Sequence, residues 1–383
     1  MNTALIPNDT YAVPAAELQL LTALHWISRF GWLRARELGA LMFPEPGKHP
    51  GAMVADEKRL NTQRKMVNNK IIAKLKQARY VLSRPLPNRA GDALVLSAAG
   101  ARYLQRRLVS TARPGDKWGR SIDGRWTPPA SWEHEMLVTL TMLHFLSQGA
   151  QIKTELELRA ENPGQRKVPD GIVVSRNKTK DGLIVEMVQW IEVESADKSG
   201  LKMLSLARSL TKVYRRQAPV LSGLDAYIPT VVYRSDLVNL SGRKVDHRNR
   251  IKNAVQRHIG ADFQLYFLQI TFKPKGAYHV EKISHQPTRI YPFDPDDPKT
   301  EIRAAFTPDR NGDFVNTSID SKDRYWLLKV FRYHDRYRYE VWTAPEPDDG
   351  EPILKAGYQV EELEAGFRAA MRAFQRKFYA ESY

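Results

Sequence analysis

Two strand-like segments constrain the fold more than any other part of the sequence: PDGIVV at residues 169–174 and LIVEMVQWIEVES at residues 183–195. Side chains alternate between the two faces of a strand, so Glu192 and Glu194 share one face. Asp170 begins the first segment. If the two strands pair, the Asp170 carboxylate comes beside that of Glu192 at the ladder spacing of roughly 5 Å.

Carboxylates this close repel one another unless a cation lies between them. Mg²⁺ is the favoured ion, with Mn²⁺ as its substitute, because Mg²⁺ takes carboxylate oxygens at about 2.1 Å, keeps water ligands and often bridges to phosphate. Asp170 and Glu192 are the expected metal ligands. The alternative interpretation is that Glu192 and Glu194 are solvated on the open face of an edge strand.

The charge balance indicates the class of partner. The chain has 383 residues, enough for two or three domains, with 59 Lys and Arg against 43 Asp and Glu, a formal net charge of +16. An excess of this size favours a polyanion, and double-stranded DNA is the expected partner.

Other function classes lack support in the sequence. The chain has no cysteine, which excludes disulfides, thiolate zinc sites and thiol catalysis and is consistent with a reducing cytoplasm. No apolar run approaches the ~20 residues of a membrane span, and the first residues do not resemble a secretion signal. Walker, GxGxxG, GxSxG and HExxH motifs are also absent. We therefore expect a cytoplasmic protein with no membrane partner.

Residues 1–110 are predicted to form three helices followed by a β-hairpin, an order that resembles a winged helix. In that fold the third helix enters the major groove and the hairpin touches the flanking DNA backbone. The predicted contacts are with phosphates, from Arg64, Lys65, Lys70, Lys74 and the hairpin residues Arg84 and Arg89, and with base edges, from Asn61, Gln63 or Asn68. A winged helix used for protein contacts, or a merely solvated basic helix, is the alternative.

Residues 111–130 are rich in Gly, Pro and charge and are predicted to be a linker. Residues 131–272 follow with the order αβββαβ and a further αβ, which predicts a mixed sheet flanked by helices. The first of these helices starts after Ser131, a predicted cap, and one strand is predicted over QIKTELELR. A later helix, from Asp197 to about Arg216, places Lys202 one turn before a buried stripe.

This core, with Pro169-Asp170 opening one strand and Glu192-Val193-Glu194 closing the next, resembles the PD-(D/E)XK phosphodiesterase superfamily. Joined to a winged helix, and with the triplet Glu133-His134-Glu135 on its first helix, the chain is similar to replication-relaxation proteins and MobC-type plasmid mobilisation relaxases. The resemblance spans residues 16–270. Its motifs are short and degenerate.

The resemblance implies Mg²⁺-dependent phosphodiester cleavage, with Asp170 and Glu192 as metal ligands and Glu133 or Glu135 as an accessory acid. Glu194 occupies the usual lysine position of the E-x-K signature, so Lys202, or secondarily Lys198, would supply the positive charge. Glu194 or Lys202 would position the nucleophile. His134 would be a general acid, or else a structural hydrogen-bonding residue.

Residues 273–383 are predicted to form a loop and then a small unit of a β-hairpin plus a helix. Cations and aromatics alternate on the hairpin, a mixture that binds unpaired bases and their phosphates: Arg332, Tyr333, Arg336, Tyr337, Arg338 and Tyr339. Single-stranded DNA is therefore a second predicted partner. Half of these aromatics are needed for the core, which leaves a purely structural hairpin as the alternative.

Three functions remain open at this point. The first is a metal-dependent DNA-nicking endonuclease of a mobile element, a mobilisation relaxase or replication-relaxation factor. The second is a catalytically inactive nuclease-like scaffold or replication regulator that only binds DNA. The third is a restriction or phage-defence nuclease. Homodimerisation or association with other mobilisation proteins accompanies the first, and none of the 16 tyrosines stands out as a covalent nucleophile.

Overall fold

The computed structural model describes residues 14–52, 57–108, 112–123, 125–165, 167–178, 184–196, 200–214, 218–221, 224, 227–236, 244, 246–256, 263–273, 278, 280–290, 306–319, 325–344 and 353–382. The chain is of the mixed α+β class and contains several sheets, as the sequence predicted at this level. It divides into two compact units. The first comprises Met1–Ser195, Pro219–Asp236 and Leu268–His285, and the second Ala196–Ala218, Leu237–Phe267 and Gln286–Tyr383.

The first unit opens with helices that surround a small antiparallel sheet of order β1-β3-β2. Its elements are α1 Ala15–Phe30, β1 Trp32–Arg34, α2 Ala35–Met42, α3 Glu57–Val67, a π-helical turn Asn68–Ile72, α4 Ala73–Gln77, β2 Val81–Pro85, β3 Asp92–Leu96 and α5 Ala98–Leu108. Val67, Ile71 and Leu75 lie four residues apart on the third predicted helix, and all three are fully buried. Ser97 caps α5, because its Oγ accepts a hydrogen bond from the Gly100 N–H.

Part of the predicted linker is folded. β4 Arg120–Ile122 and β5 Arg125–Thr127 form an antiparallel hairpin, and the ring centroids of Trp118 and Trp126 lie 5.2 Å apart. A two-stranded ribbon is marginal by itself, so this aromatic contact is a reason for the hairpin to form where composition predicted only a connection.

The middle part of the sequence forms a six-stranded sheet, called the central sheet below. Its strands run in the order β11-β10-β9-β8-β7-β6, with β8 antiparallel to β7 and parallel to β9. The elements from here to the end of the sheet are α6 Trp132–Ser147, β6 Gln151–Thr154, α7 Glu155–Glu161, β7 Gly171–Lys178, β8 Ile184–Glu194, α8 Gly200–Tyr214, β9 Ile228–Arg234, α9 His247–Gln256, β10 Phe263–Phe272 and β11 Val280–Ile290.

Two local predictions in this region are wrong. The segment QIKTELELR is a strand only to Thr154, because Thr154 and Glu157 form a reciprocal capping box that starts α7. Ser131 does not cap α6 through its side chain. Its hydroxyl donates to Glu135 instead, at 2.6 Å.

One hydrophobic cluster runs through the first unit. It contains Leu24 and Ile27 of α1, Leu137 and Phe145 of α6, and Ile191 of β8. The N-terminal helices and the first strands of the central sheet therefore share a core, although the sequence divided them at residues 111–130.

The second unit contains α8 and α9 and a five-stranded antiparallel sheet of order β12-β13-β14-β15-β16. The elements of its C-terminal part are β12 Thr307–Pro308, β13 Phe314–Ile319, β14 Tyr325–Tyr333, β15 Arg336–Ala344, β16 Ile353–Val360 and α10 Leu363–Ser382. The predicted hairpin and helix are confirmed, and their apolar residues meet in a core that includes Trp326, Val341, Phe367, Met371 and Phe374. The predicted loop before them is wrong in part, because residues 280–290 form β11, an edge strand of the six-stranded sheet.

The stripe predicted for α8 is buried at Met203, Leu206 and Leu210, while Lys202 is exposed. Within the described parts of the chain, no helix has the length and apolar character that crossing a bilayer requires.

Candidate functional site

Asp170 and Glu192 meet where β7 begins and β8 ends. Gly171 pairs with Ile191 in the antiparallel register, and the Asp170 N–H donates to the Ile191 carbonyl at 3.0 Å. This register continues the ladder to Asp170 and Glu192 as the next opposed pair. The predicted pairing of the two strands is therefore confirmed.

The Asp170 carboxylate is held from two sides. One oxygen lies 3.0 Å from His134 Nε2, and the other accepts the Val193 N–H at 2.6 Å. Burial alone lowers the pKa of His134, but the hydrogen bond and charge of Asp170, with smaller effects of Glu155 and Glu194, raise this pKa above its ordinary value. His134 is thus the member of the helical triplet that contacts Asp170.

Glu192 is buried, with 8 % of its surface exposed. Its Oε1 accepts a hydrogen bond from Trp190 Nε1 at 2.8 Å and forms an ion pair with Lys167 Nζ at 3.2 Å. Burial raises the pKa of Glu192 and the charge of Asp170 raises it further, against the opposing effects of Lys167 and Trp190. A second cation beside Glu192, in addition to Lys167, would favour the ionised form of the Glu192 carboxylate.

Lys167 is a site residue that the sequence analysis missed. It lies three positions before Asp170, and its side chain is half exposed. The sequence signal was the segment Lys167-Val168-Pro169. Its proline keeps Val168 out of the helical region, so the chain is extended and Lys167, which lies close to Asp170 in sequence, can reach Glu192.

Glu194 is almost completely buried, with 1 % exposure, on a strand flanked by β7 and β9. The alternative that Glu192 and Glu194 are solvated on an edge strand is therefore wrong. The charge of Glu194 is one of the causes that raise the pKa of His134.

The two glutamates that flank His134 belong to separate clusters. Glu133 accepts a hydrogen bond from the Tyr278 hydroxyl and lies 3.6 Å from Arg234. Burial and the contact with Glu133 raise the pKa of Tyr278 to about 12. Its phenol is therefore protonated at neutral pH and acts as a donor to Glu133.

Glu135 accepts hydrogen bonds from two indoles and one hydroxyl. The distances to Glu135 are 2.6 Å from Trp32 Nε1, 2.8 Å from Trp118 Nε1 and 2.6 Å from Ser131 Oγ. These contacts tie α6 to β1 and to the segment before β4, which is a structural role.

Two predicted lysines lie after β8 in the chain. Lys202 is on α8 in the second unit, and Lys198 lies outside the described residues. Among the described side chains, the lysine in contact with Glu192 is Lys167.

Six of the seven residues of the third helix that were predicted to contact DNA are exposed: Asn61, Arg64, Lys65, Asn68, Lys70 and Lys74. Gln63 is different, because it is buried and donates from its amide to the Phe43 carbonyl at 2.8 Å. The prediction that Gln63 approaches base edges is therefore wrong. The π-helical turn exposes Asn68 and Lys70 and buries both Ile71 and Ile72. Such turns are frequent at functional sites.

The hairpin between β2 and β3 presents its two arginines differently. Arg89 is exposed in the turn, where its φ is +57°. Arg84 lies over the Trp126 ring at 5.9 Å from the centroid. An open cavity of about 580 Å³ next to this hairpin has Lys117 and Arg120 among its lining residues.

The cations and aromatics of the β14–β15 hairpin are distributed over two faces. Tyr339 packs against the core on the side of α10. Arg332, Tyr333 and Arg336 are exposed at the turn, and Arg338 lies over the Tyr333 ring at 5.8 Å.

The described residues contain no group of three or more His, Cys, Asp and Glu side chains arranged to hold a metal ion. The donor set at β7 and β8 is thus a pair of carboxylates, Asp170 and Glu192. The chain matches no protein-family model, no curated protein and no solved structure in the comparisons made.

Proposed function

We propose that this protein binds duplex DNA and nicks it as a divalent-cation-dependent phosphodiesterase. The observation that carries the proposal is the meeting of Asp170 and Glu192 at one end of the β7–β8 pair, with Lys167 and His134 in direct contact with them. In finer terms, we propose a winged helix in residues 16–108 and a PD-(D/E)XK-like core around β6 to β9.

The acidic pair fits a hard divalent cation. Burial and the neighbouring Asp170 charge raise the pKa of Glu192, so a cation between the two carboxylates would relieve both effects. Mg²⁺ commonly uses one or two protein carboxylates and completes its shell with water and phosphate, which agrees with a pair of acids. The chemistry that a bound Mg²⁺ supplies is neutralisation of phosphate charge and activation of water.

The neighbouring residues orient this pair. His134 and the Val193 N–H fix the two oxygens of Asp170, so the carboxylate is held before DNA arrives. Lys167 is long and half exposed, so its ammonium can move from Glu192 to a phosphate oxygen when a cation takes its place. We propose that Lys167 supplies the positive charge that the E-x-K signature lacks at Glu194.

A titration with divalent metal tests the proposal. Supercoiled plasmid is incubated with the purified protein and increasing Mg²⁺ or Mn²⁺, and the open circular form is quantified. We expect nicking that requires the metal and stops with EDTA. Binding of a labelled duplex in the presence of Ca²⁺, measured in parallel, reports DNA affinity independently of cleavage.

A DNA-binding scaffold is the second candidate, and a specific observation favours it. Both carboxylates already have a basic partner within the protein, Lys167 for Glu192 and His134 for Asp170. These two contacts neutralise the carboxylates of Glu192 and Asp170 without a metal ion. Salt-sensitive duplex binding with no nicking at any metal concentration would favour this candidate.

The biological task follows from the cleavage pattern. A single nick at one position supports a mobilisation relaxase or replication-relaxation factor of a mobile element. Scattered double-strand cuts support a restriction or phage-defence nuclease. Mapping the ends on a plasmid that carries the neighbouring genomic DNA distinguishes the two.

Charge reversal on the third helix is expected to weaken duplex binding. Lys70→Glu with Lys74→Glu removes two exposed cations one helical turn apart. Affinity should fall at least tenfold, and the slope of log K against log salt should become shallower by about 2, because each phosphate contact releases roughly one counterion. Fluorescence anisotropy at several salt concentrations measures both quantities.

The matched control is Arg372→Glu with Arg376→Glu on α10, which has the same spacing, the same change in net charge and two exposed positions. Equal losses in the two double variants would mean that net charge alone governs binding. The third helix would then be removed from the DNA interface.

A further inference from the structure

Two histidines face each other at the far end of α6 from His134. His144 Nε2 lies 2.9 Å from His285 Nε2 of β11, and the ring centroids are 5.1 Å apart. The side-chain amide of Gln148 lies 3.2 Å from His144 Nε2. Both histidines belong to the first unit, so the contact links a helix and a strand that share its core.

The separation of the two nitrogens is that of neighbouring ligands on a metal ion. With metal–nitrogen bonds of about 2.0 Å, two ligands at a right angle lie about 2.8 Å apart, and two tetrahedral ligands lie about 3.3 Å apart. The observed 2.9 Å agrees better with the right angle. Tetragonal sites with nitrogen and oxygen donors are typical of Cu²⁺ and Ni²⁺.

The pair of imidazoles is open to water. His144 is half-buried, while His285 and Gln148 are exposed, so water can complete the coordination shell.

Gln148 provides a third donor one turn after His144. Rotation of its amide exchanges nitrogen and oxygen at the same position, so the oxygen can face the His144 ring. Gln148 is the C-cap residue of α6, and a position four residues after His144 lies on the same side of the helix, which brings its amide beside His144 Nε2.

We propose that His144, His285 and Gln148 form a binding site for a tetragonal transition-metal ion, Cu²⁺ or Ni²⁺, distinct from the acidic pair at β7 and β8. Without metal the same imidazoles share an N–H···N hydrogen bond. Binding would clamp the C-terminal end of α6 to β11 and stabilise the first unit.

Titration of untagged protein with CuCl₂ or NiCl₂ tests the proposal by calorimetry, with electron paramagnetic resonance for Cu²⁺. We expect one ion per chain when Asp170→Asn and Glu192→Gln remove the acidic pair, and a spectrum with hyperfine splitting from two nitrogen ligands. His144→Ala and His285→Ala should each weaken binding by roughly tenfold or more and leave one nitrogen in the spectrum. Gln148→Ala should weaken binding less.

Two controls make the result specific. His334→Ala, at the exposed turn between β14 and β15, should bind as the unmodified protein does. Asp170→Asn with Glu192→Gln should also leave this binding unchanged, which separates it from the acidic pair. The proposal is overturned if the double variant His144→Ala with His285→Ala, folded by circular dichroism, retains the affinity and spectrum of the unmodified protein. Absence of a 1:1 complex with either ion overturns it equally.

Discussion

Asp170→Asn and Glu192→Gln should each abolish metal-dependent nicking while duplex binding persists. Both substitutions keep the size of the side chain and one acceptor oxygen, but they replace the other oxygen with an amide donor and remove the negative charge that a cation requires. We expect the nicking rate to fall by roughly 10²- to 10³-fold or more, the size of effect that accompanies loss of a group stabilising charge in a transition state. Conversion of supercoiled plasmid to the open circle at saturating Mg²⁺ measures the rate.

Glu186→Gln is the matched control for these variants. Glu186 lies on the same strand, is exposed and pairs with Arg176, so the chemical change is identical but lies away from the site. Its nicking rate should equal that of the unmodified protein. Full activity in both Asp170→Asn and Glu192→Gln would exclude the acidic pair from catalysis, whatever else in the chain cleaves DNA.

The same plasmid-nicking assay shows which of the two candidate lysines, Lys167 or Lys202, supplies the positive charge. Lys167→Met removes the cation that contacts Glu192, and Lys202→Met removes the one that the family resemblance favours. We expect a large loss of rate only for Lys167→Met, with the metal requirement retained. If only Lys202→Met lowers the nicking rate, the residue that supplies the positive charge is Lys202 on α8.

The pairing of β7 with β8 could be predicted because its signal is local. Apolar residues flank each acid, and the period of two assigns the faces without knowledge of any other element. The buried stripe of α8 could also be predicted, because the helical period of 3.6 is equally local. Asp170 and Glu192 came together on this basis alone.

The partners of the other candidate residues could not be predicted, because they come from distant parts of the chain. Tyr278 contacts Glu133 across 145 positions, and Trp32 contacts Glu135 across 103. Both glutamates lie in the first turn of α6, and helical periodicity contains no information about these donors. The family resemblance therefore implied an accessory acid at a position where the fold uses Glu135 to hold two indoles.

Competition between local signals accounts for the remaining errors. Thr154 and Glu157 sit in a segment with strand-like alternation, but the capping box satisfies backbone donors at a helix start and α7 forms instead. In the sequence, Gln63 is a polar residue on a helix predicted to face DNA. In the structure its side chain is buried, and its amide donates a hydrogen bond to the Phe43 carbonyl.

Glu37→Ala should destabilise the protein by about 3–5 kcal/mol, the usual cost of leaving one member of a buried ion pair without its partner. The carboxylate of Glu37 is bound by Arg34 at 2.5 and 2.8 Å, and both side chains are buried. Arg34 also donates to the Ala90 and Tyr278 carbonyls. Urea unfolding followed by tryptophan fluorescence measures the change in the free energy of unfolding.

The pH dependence of this contribution has a definite sign. Burial alone raises the pKa of Glu37, but the charge and hydrogen bonds of Arg34, with the charge of Arg36, outweigh it and hold the pKa below the ordinary value of 4.5. The unfolded state therefore binds a proton more readily than the folded state. The stabilisation is fully present above about pH 4.5 and is lost as the pH falls through the folded pKa, so the difference between Glu37→Ala and the unmodified protein should shrink in acid.

Two further variants separate an unpaired charge from lost packing. Arg34→Met with Glu37→Leu removes both charges and fills the space with apolar groups, so it should be much less destabilising than Glu37→Ala. Glu155→Ala breaks the exposed pair with Arg159 and should change stability by no more than about 0.5 kcal/mol. If Glu37→Ala costs no more than Glu155→Ala, the buried pair is not what holds α2 to the β2–β3 turn. The orientation of the proposed DNA-binding helix would then depend on the apolar core that α1, α2 and α3 share.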